Sequence, residues 1–143
     1  RLKRSIQKGE FMSRRSDVAQ EDTEQEDEFG LNTVMLFGSL SSDAVLRELP
    51  SGEKIVNLEV TTSTLDGRIS VPVTSKDTLL EDLCVGDEVF VTGVVKRRFF
   101  RAGPALQSRT EVHASKVISG KKKAQIRKLV GAATDELVDF AQF

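Results

Sequence analysis

The sequence predicts an all-β fold, a closed five-stranded barrel with one short helix between its third and fourth strands. Three observations predict it: five short segments of alternating or β-branched apolar residues, Gly- or Pro-containing turns between them, and one short stretch with helical spacing. At 143 residues the chain suits one domain with tails.

The first two predicted strands, residues 32–40 and 55–62, place apolar side chains on one face at every second position. The residues expected to share those inward faces are Val34, Leu36, Gly38, Val56, Leu58 and Val60. Met35 and Phe37 are expected on the opposite face of the first strand. The turn Leu49–Gly52 separates the two strands, since Pro50 presets the bend and Gly52 accepts a positive φ.

Asp66-Gly67 is a hairpin signal, after which residues 68–74 form the third predicted strand. Pro72 removes one ladder donor from it, which predicts an edge position or a break. Residues 75–84 carry leucines at helical spacing and end at Gly86, so we expect a short helix there.

Residues 88–96 and 110–118 form the fourth and fifth predicted strands. Their expected inward residues are Val89, Val91, Val95, Val112, Ala114 and Ile118. Gly38 and Gly93 lie in mid-strand, where a small barrel needs bulges in order to curl, and the alternative is close packing against a neighbour. Strands and helix in this order are typical of the Greek-key OB-fold barrel.

Charge separates strongly along the chain, although the formal net charge is only −1. Seven acidic and no basic residues lie between Asp17 and Glu28, whereas residues 96–128 contain eleven basic residues and one acid, Glu111. We therefore divide the chain into a disordered acidic extension (1–29), the barrel (30–119) and a basic-to-acidic C-terminal helix and tail (120–143). Residues 1–11 are basic and patternless and precede Met12, which suggests a remnant of the expression vector.

Two interpretations of the acidic stretch stay open. It is either a solvated tail, or a segment that folds over the basic part of the chain and competes with DNA.

The sequence argues against several kinds of functional site and against a membrane-spanning segment. A single cysteine, Cys84, excludes an internal disulfide, and its apolar neighbours predict a buried structural thiol. His113 has no cluster of potential ligands beside it in the sequence, so we expect neither a metal nor a general base there. With no phosphate loop or nucleophile motif, no cofactor is expected and the chain is predicted not to be an enzyme.

No apolar run is long enough to cross a membrane, and we expect a cytoplasmic, nucleoid-associated protein.

The sharpest functional feature is the segment Lys96–Arg101 (KRRFFR), which follows the clearest strand. Burying both rings would draw their cationic neighbours inwards, where unpaired charge is costly. A nucleic-acid single strand fits this pattern, because bases stack on rings while phosphates contact the cations. The candidate nucleic-acid-binding residues are Arg47, Lys54, Arg68, Lys96, Arg97, Arg98, Phe99, Phe100, Arg101, Arg109 and Lys116. The alternative is that one ring plugs the barrel end while the cations are merely solvated.

An ordered set of short motifs resembles the bacterial single-stranded DNA-binding (SSB) protein family. The set comprises residues 32–40 (NTVMLFGSL), Asp43, 46–58 with the turn at Leu49–Gly52, 85–93 (VGDEVFVTG) and 97–100 (RRFF), and the resemblance covers about Asn32 to Ile118. The resemblance implies a homo-oligomer, a tetramer or a dimer, that binds single-stranded DNA without strong sequence preference in replication, repair or recombination. It also implies a C-terminal tail that contacts replication or repair proteins, here through Asp135, Glu136, Asp139, Phe140 and Phe143.

The chain departs from that family in three ways, which indicate a divergent or accessory member. It has no Trp or Tyr, the usual aromatic of the third strand is replaced near Arg68, and the long Gly/Pro/Gln-rich linker is absent. The acidic tip ending in Pro-Phe is only echoed, so the helix end could equally pack on its own barrel. A second class also stays open: an OB-fold adaptor of a replication-restart or repair complex, with weak nucleic-acid binding. An RNA-binding OB domain is a further alternative.

Overall fold

Six strands and two helices account for most of residues 30–142, the part of the chain that the computed structural model describes. The strands are β1 (Val34–Leu40), β2 (Val45–Glu48), β3 (Lys54–Thr64), β4 (Gly67–Ser75), β5 (Glu88–Ala102) and β6 (Ala105–Ser119). A 3-10 helix (Thr78–Asp82) follows β4, and the helix α1 (Lys123–Ala141) follows β6. The acidic stretch Asp17–Glu28, residues 1–11 and Phe143 lie outside the described residues.

Five of the strands close into a barrel, which confirms the predicted OB fold. β1 pairs antiparallel with β5 and also, at Ser39 and Leu40, with β3. β5 continues to β6, and β3 to β4, as antiparallel pairs. The circle closes where β4 and β6 run parallel, with Val73 opposite Val112.

β2 was not predicted, and it continues the path of β1. β1 pairs with β3 through Leu40 and Val60, and β2 then pairs with the earlier part of β3, Lys54–Asn57. The gap between them is fixed by Asp43, whose carboxylate accepts a hydrogen bond of 2.8 Å from the backbone N–H of Val85. All four β2 residues are exposed, so the strand has no alternation of apolar and polar residues from which it could be predicted.

The core confirms most of the predicted inward faces. Its buried residues are Leu40, Val56, Leu58, Val60, Val73, Val89, Val91 and Val112, with Val34, Leu36 and Ala114 packed against them. Met35 and Phe37 are exposed on the other face of β1, as expected.

Two predicted core residues are wrong, and both lie near the irregular part of the β5–β6 pair. The register shifts between Thr92 and Gly93, because β6 holds one extra residue. Ile118 consequently loses its place in the core to Val117, since one added residue reverses the face. Val95 is 42% exposed, because β5 runs on to Ala102 rather than ending at Lys96.

The two mid-strand glycines both lie close against another strand, but only one of them lies at a bulge. Gly93 lies at the predicted bulge, whereas Gly38 fits the alternative, close packing against a neighbour. A Cβ on Gly38 would lie 2.2 Å from the carbonyl oxygen of Thr61, and one on Gly93 would lie 2.2 Å from that of His113. Pro72 pairs with Glu59 on one side of β4, and the parallel pairing with β6 begins only at Val73, which agrees with the predicted break.

The helix expected over residues 75–84 is a 3-10 helix, Thr78–Asp82, in which Asp77 caps the backbone N–H of Leu79. Cys84 is exposed, so the predicted buried thiol is wrong. The physical reason is that the helix ends before Cys84, whose backbone N–H donates to Asp87 in the turn leading to β5.

A side chain extends the β1–β5 ladder beyond the first residue of β1. The Asn32 amide donates to the carbonyl of Val95 at 2.8 Å and accepts from the Val95 N–H at 2.9 Å. It therefore supplies both hydrogen bonds that another strand residue would make.

The C-terminal helix predicted within residues 120–143 is present as α1, and it is continuous through Gly131. Within residues 30–142, no helix combines the length and apolar character needed to cross a membrane.

Substituting Gly93 by alanine should destabilise the barrel, because the new methyl group would meet backbone atoms that cannot rotate away. Overpacking of this kind costs about 1–3 kcal/mol, measured as the free energy of unfolding in urea. Gly131→Ala is the matched control: nothing lies within 4 Å of its Cβ position, and alanine in a helix should stabilise by up to about 1 kcal/mol. Equal effects of the two substitutions would contradict this account.

Candidate nucleic-acid interface

The outer face of β3 and β4 forms a polar floor. Successive strand residues point to opposite faces, so the side chains that alternate with the buried valines lie outside the barrel. Across the two strands these residues pair as Asn57 with Thr74, Glu59 with Pro72 and Thr61 with Ser70. The hydroxyls of Thr61 and Ser70 are 3.0 Å apart, and that of Thr74 donates to the Asn57 amide oxygen at 3.4 Å.

The extended ends of β5 and β6 form a two-stranded ribbon beside this floor. The ribbon continues past the barrel to a turn at Gly103, which has a φ of +65°. Lys96 lies opposite Glu111, and Arg98 lies opposite Arg109. The Arg109 guanidinium donates to the Glu59 carboxylate at 3.4 Å and so links the ribbon to the floor.

Floor and ribbon enclose two adjoining cavities. The larger, about 550 Å³, reaches from the β2–β3 turn to the ribbon. It has four cationic side chains, Arg47, Lys76, Lys96 and Arg98, and two carboxylates, Glu53 and Glu111. The smaller, about 240 Å³, lies along the floor between Asn57 and Arg109. We call the two together the groove.

A buried carboxylate organises the ribbon side of the groove. Glu111 is 5% exposed, and it accepts from the Arg98 Nε at 3.3 Å and lies 3.0 Å from the His113 Nε2. The Arg109 Nε is 3.8 Å away. A buried charge needs such partners, and they in turn hold the two guanidinium groups in place. His113 thus has a carboxylate partner, and no cluster suited to a metal ion occurs in the described part of the chain.

The groove is less positive than the linear charge count predicts. Arg98 and Arg109 are each paired with a carboxylate, and Lys76 lies 3.5 Å from Glu53. Within residues 30–142, Arg47 and Lys96 form no ion pair. Glu53 and Glu59 lie far from the basic segment in the sequence. Folding brings Glu59 to Arg109 and places Glu53 in the same cavity as Lys96 and Arg98.

The two phenylalanines lie on opposite faces of the ribbon, since they are neighbours in one strand. Phe100 shares the groove side with Arg98, whose guanidinium carbon is 5.3 Å from the ring centroid. Phe99 is 62% exposed on the other side. Neither ring is sealed in the core, but the two cannot form one stacking platform.

The structure brings four of the predicted nucleic-acid-binding residues to the groove, Arg47, Lys96, Arg98 and Arg109, and a fifth, Phe100, lies beside it in contact with Arg98. The remaining predicted residues lie elsewhere: Lys54, Arg68, Arg97, Phe99, Arg101 and Lys116. Arg68 shares the outer face of β4 with Thr74, but six residues of strand, about 20 Å, separate them. Lys116 pairs with Thr92 beyond the bulge.

Sequence reasoning missed several polar residues of the groove: Glu53, Asn57, Glu59, Thr74, Lys76, Glu111 and His113. The alternation along β3, β4 and β6 places five of them, all but Glu53 and Lys76, on outward faces, and that signal could have found them. Of the predicted tail, Asp135, Glu136, Asp139 and Phe140 lie within α1.

Glu111→Ala should lower the free energy of unfolding by about 3 kcal/mol, because it leaves the charges that surround a buried site without their partner. Glu59→Ala is the control: it also removes a partner of Arg109, but this carboxylate is 41% exposed, and exposed pairs contribute about 0–1 kcal/mol. Urea unfolding of both variants measures the difference. A loss below 1 kcal/mol for Glu111→Ala would show that the carboxylate does not organise the ribbon.

Comparison with known proteins agrees with the barrel. No protein-family model matches the chain, and no curated protein matches it in sequence. Among solved structures, the chain is similar to the Plasmodium falciparum SSB in its complex with single-stranded DNA, with a TM-score of 0.54 and 20% sequence identity. The match covers 64% of this chain and 96% of that one. The similarity supports an OB fold of the kind that the SSB protein has.

Proposed function

We propose that this chain binds single-stranded DNA in the groove, without strong sequence preference and without catalysing a reaction. The observation that carries the proposal is Arg98, held between the buried Glu111 carboxylate and the Phe100 ring at the edge of a groove with cationic walls. The similarity to a solved SSB–DNA complex supports the same ligand class.

In this proposal one residue of the site binds the bases and others bind the phosphates. Phe100 offers a ring on which an unpaired base stacks, which contributes about 1–3 kcal/mol for any base. Arg47 and Lys96, which have no carboxylate partner in the described part of the chain, neutralise phosphates. Duplex DNA binds more weakly, because its bases are already stacked and paired.

The cellular setting belongs to the proposal as well. The motifs shared with the bacterial SSB family suggest replication, repair or recombination of DNA in the bacterial cytoplasm. They also suggest a homo-oligomer, a tetramer or a dimer. Within residues 30–142, β1 pairs with β3 only at Ser39 and Leu40, so the edge of β1 that faces away from β5 has no partner strand before Ser39. Such an edge can pair with a second copy.

One observation favours the alternative of an OB-fold adaptor. Phe99 and Leu106 are both exposed on the ribbon face that points away from the groove. Apolar side chains grouped in this way are typical of contacts with another protein. An adaptor of a replication-restart or repair complex would use that face and bind free single strands weakly.

Removing the Phe100 ring should weaken binding to fluorescent oligo-dT at least tenfold, the equivalent of about 1.4 kcal/mol. Phe99→Ala is the matched control and should change affinity less than about threefold, since its ring lies outside the groove. Duplex DNA and oligo-U titrations test the preference for single-stranded DNA. A loss confined to Phe99→Ala, or no measurable oligo-dT binding by the wild type, would favour the adaptor.

Binding should depend on salt less steeply than the basic segment alone suggests. With about two phosphates neutralised, by Arg47 and Lys96, log K should fall with log salt with a slope near −1.4. Glu59→Gln removes one of the two carboxylate partners of Arg109, so the slope should steepen by about 0.7 and affinity at low salt should rise. Glu48→Gln, on the opposite face of β2 from Arg47, controls for net charge. Identical slopes for the two variants would exclude Arg109 from phosphate binding.

A further inference from the structure

The helix α1 carries an apolar stripe with heptad spacing. Ile126, Val130, Ala133, Leu137 and Phe140 follow one another at intervals of four, three, four and three residues. This spacing keeps the five side chains on one face over the 19 residues of the helix, about 28 Å. It is the pattern by which one helix packs along another.

Part of this stripe is open to solvent in the structure. No strand forms an extensive interface with α1 in the described part of the chain. At the first turn the Lys123 ammonium lies 5.4 Å from the Phe37 ring centroid. Val130 and Leu137 are exposed, whereas Ile126, Ala133 and Phe140 are half-buried. Because a lone helix of this length is marginal in water, a packing partner would stabilise it.

The charges on α1 run against its own dipole. The first part of the helix and the residues before it hold five cations, Lys121, Lys122, Lys123, Arg127 and Lys128, and no acid. The last part holds Asp135, Glu136 and Asp139, and no cation. A helix favours anions at its amino end and cations at its carboxyl end, so this arrangement destabilises a solitary helix.

A second copy in antiparallel orientation removes that conflict. The basic half of each helix then lies beside the acidic half of the other, and the two helix dipoles also oppose. In parallel orientation the two lysine clusters would meet and repel each other. Heptad geometry further places Ile126 opposite Leu137 of the second copy, and Val130 opposite its Ala133.

We propose that α1 is a self-association element, which pairs antiparallel with α1 of a second copy of this chain. This association is separate from the groove and from the open edge of β1. It would link two barrels through their C-terminal helices while leaving the proposed DNA-binding residues accessible.

Cross-linking tests the proposal and its direction in the full chain with Cys84→Ser. Two variants, Ile126→Cys and Leu137→Cys, one of them carrying a mass tag, are treated with a short bis-maleimide separately and as a mixture. We expect cross-linked dimers between the two variants in the mixture and few in either alone. Dimers of Ile126→Cys alone would mean parallel pairing, and no cross-linked dimer in any sample would mean no pairing. Either result overturns the proposal.

Sedimentation analysis of Leu137→Asp supplies an independent measurement, with Val138→Asp as the matched control next to the stripe. Leu137→Asp should lower the average mass at a given concentration, whereas Val138→Asp should not. Equal masses for Leu137→Asp and wild type would overturn the proposal.

A charge exchange tests whether the partner of α1 is a second copy of this chain or a different protein. Lys122→Glu/Lys123→Glu and Glu136→Lys/Asp139→Lys should each dissociate alone and associate when mixed. Failure of the mixture to associate would point to another occupant and overturn the proposal. Oligo-dT affinity per barrel should stay unchanged throughout, so this result is independent of the groove.

Discussion

The close backbone approach of β6 to β5 at Gly93 is the constraint on which the rest of the molecule depends. There is no room for a side chain at this point, and the extra residue in β6 reverses which side chains face inwards. Before the bulge, Val91 and Val117 pack into the core; after it, the ribbon leaves the barrel and turns Lys96 and Arg98 towards the outer face of β3 and β4. The core and the groove therefore share one structural cause.

Electrostatics in the groove depends on pairing more than on the number of cations. Glu111 is almost fully buried and lies among two guanidinium groups and an imidazole, so it acts as a fixed internal counterion. A phosphate that binds Arg98 or Arg109 must compete with a carboxylate that is already in place. Such competition moderates the attraction for polyanions, and it holds the guanidinium planes in defined positions before a ligand arrives.

Much of the fold could be predicted from the sequence, because apolar and polar residues alternate along β3 and valines recur at every second position at the start of β5. The features that were missed have no such pattern in the sequence. β2 is exposed throughout, the bulge depends on one extra residue in β6, and Cys84 lies just beyond a helix shorter than its leucines suggested. For the groove, the basic segment was found but its partners were not, since Glu59 and Arg109 are 50 residues apart in the chain. The adjacent rings were found too, but placing them on opposite faces required knowing that β5 continues to Ala102.

The parallel pairing of β4 with β6 joins Val73 to Val112 across nearly forty residues of chain. Contacts of this kind form late, because the intervening segment must first lose its conformational freedom. The floor of the groove is complete at Ser75, where β4 ends, but its wall needs β6. During synthesis, therefore, a chain that lacks β6 has no complete groove, and the proposed binding site forms only when the barrel closes.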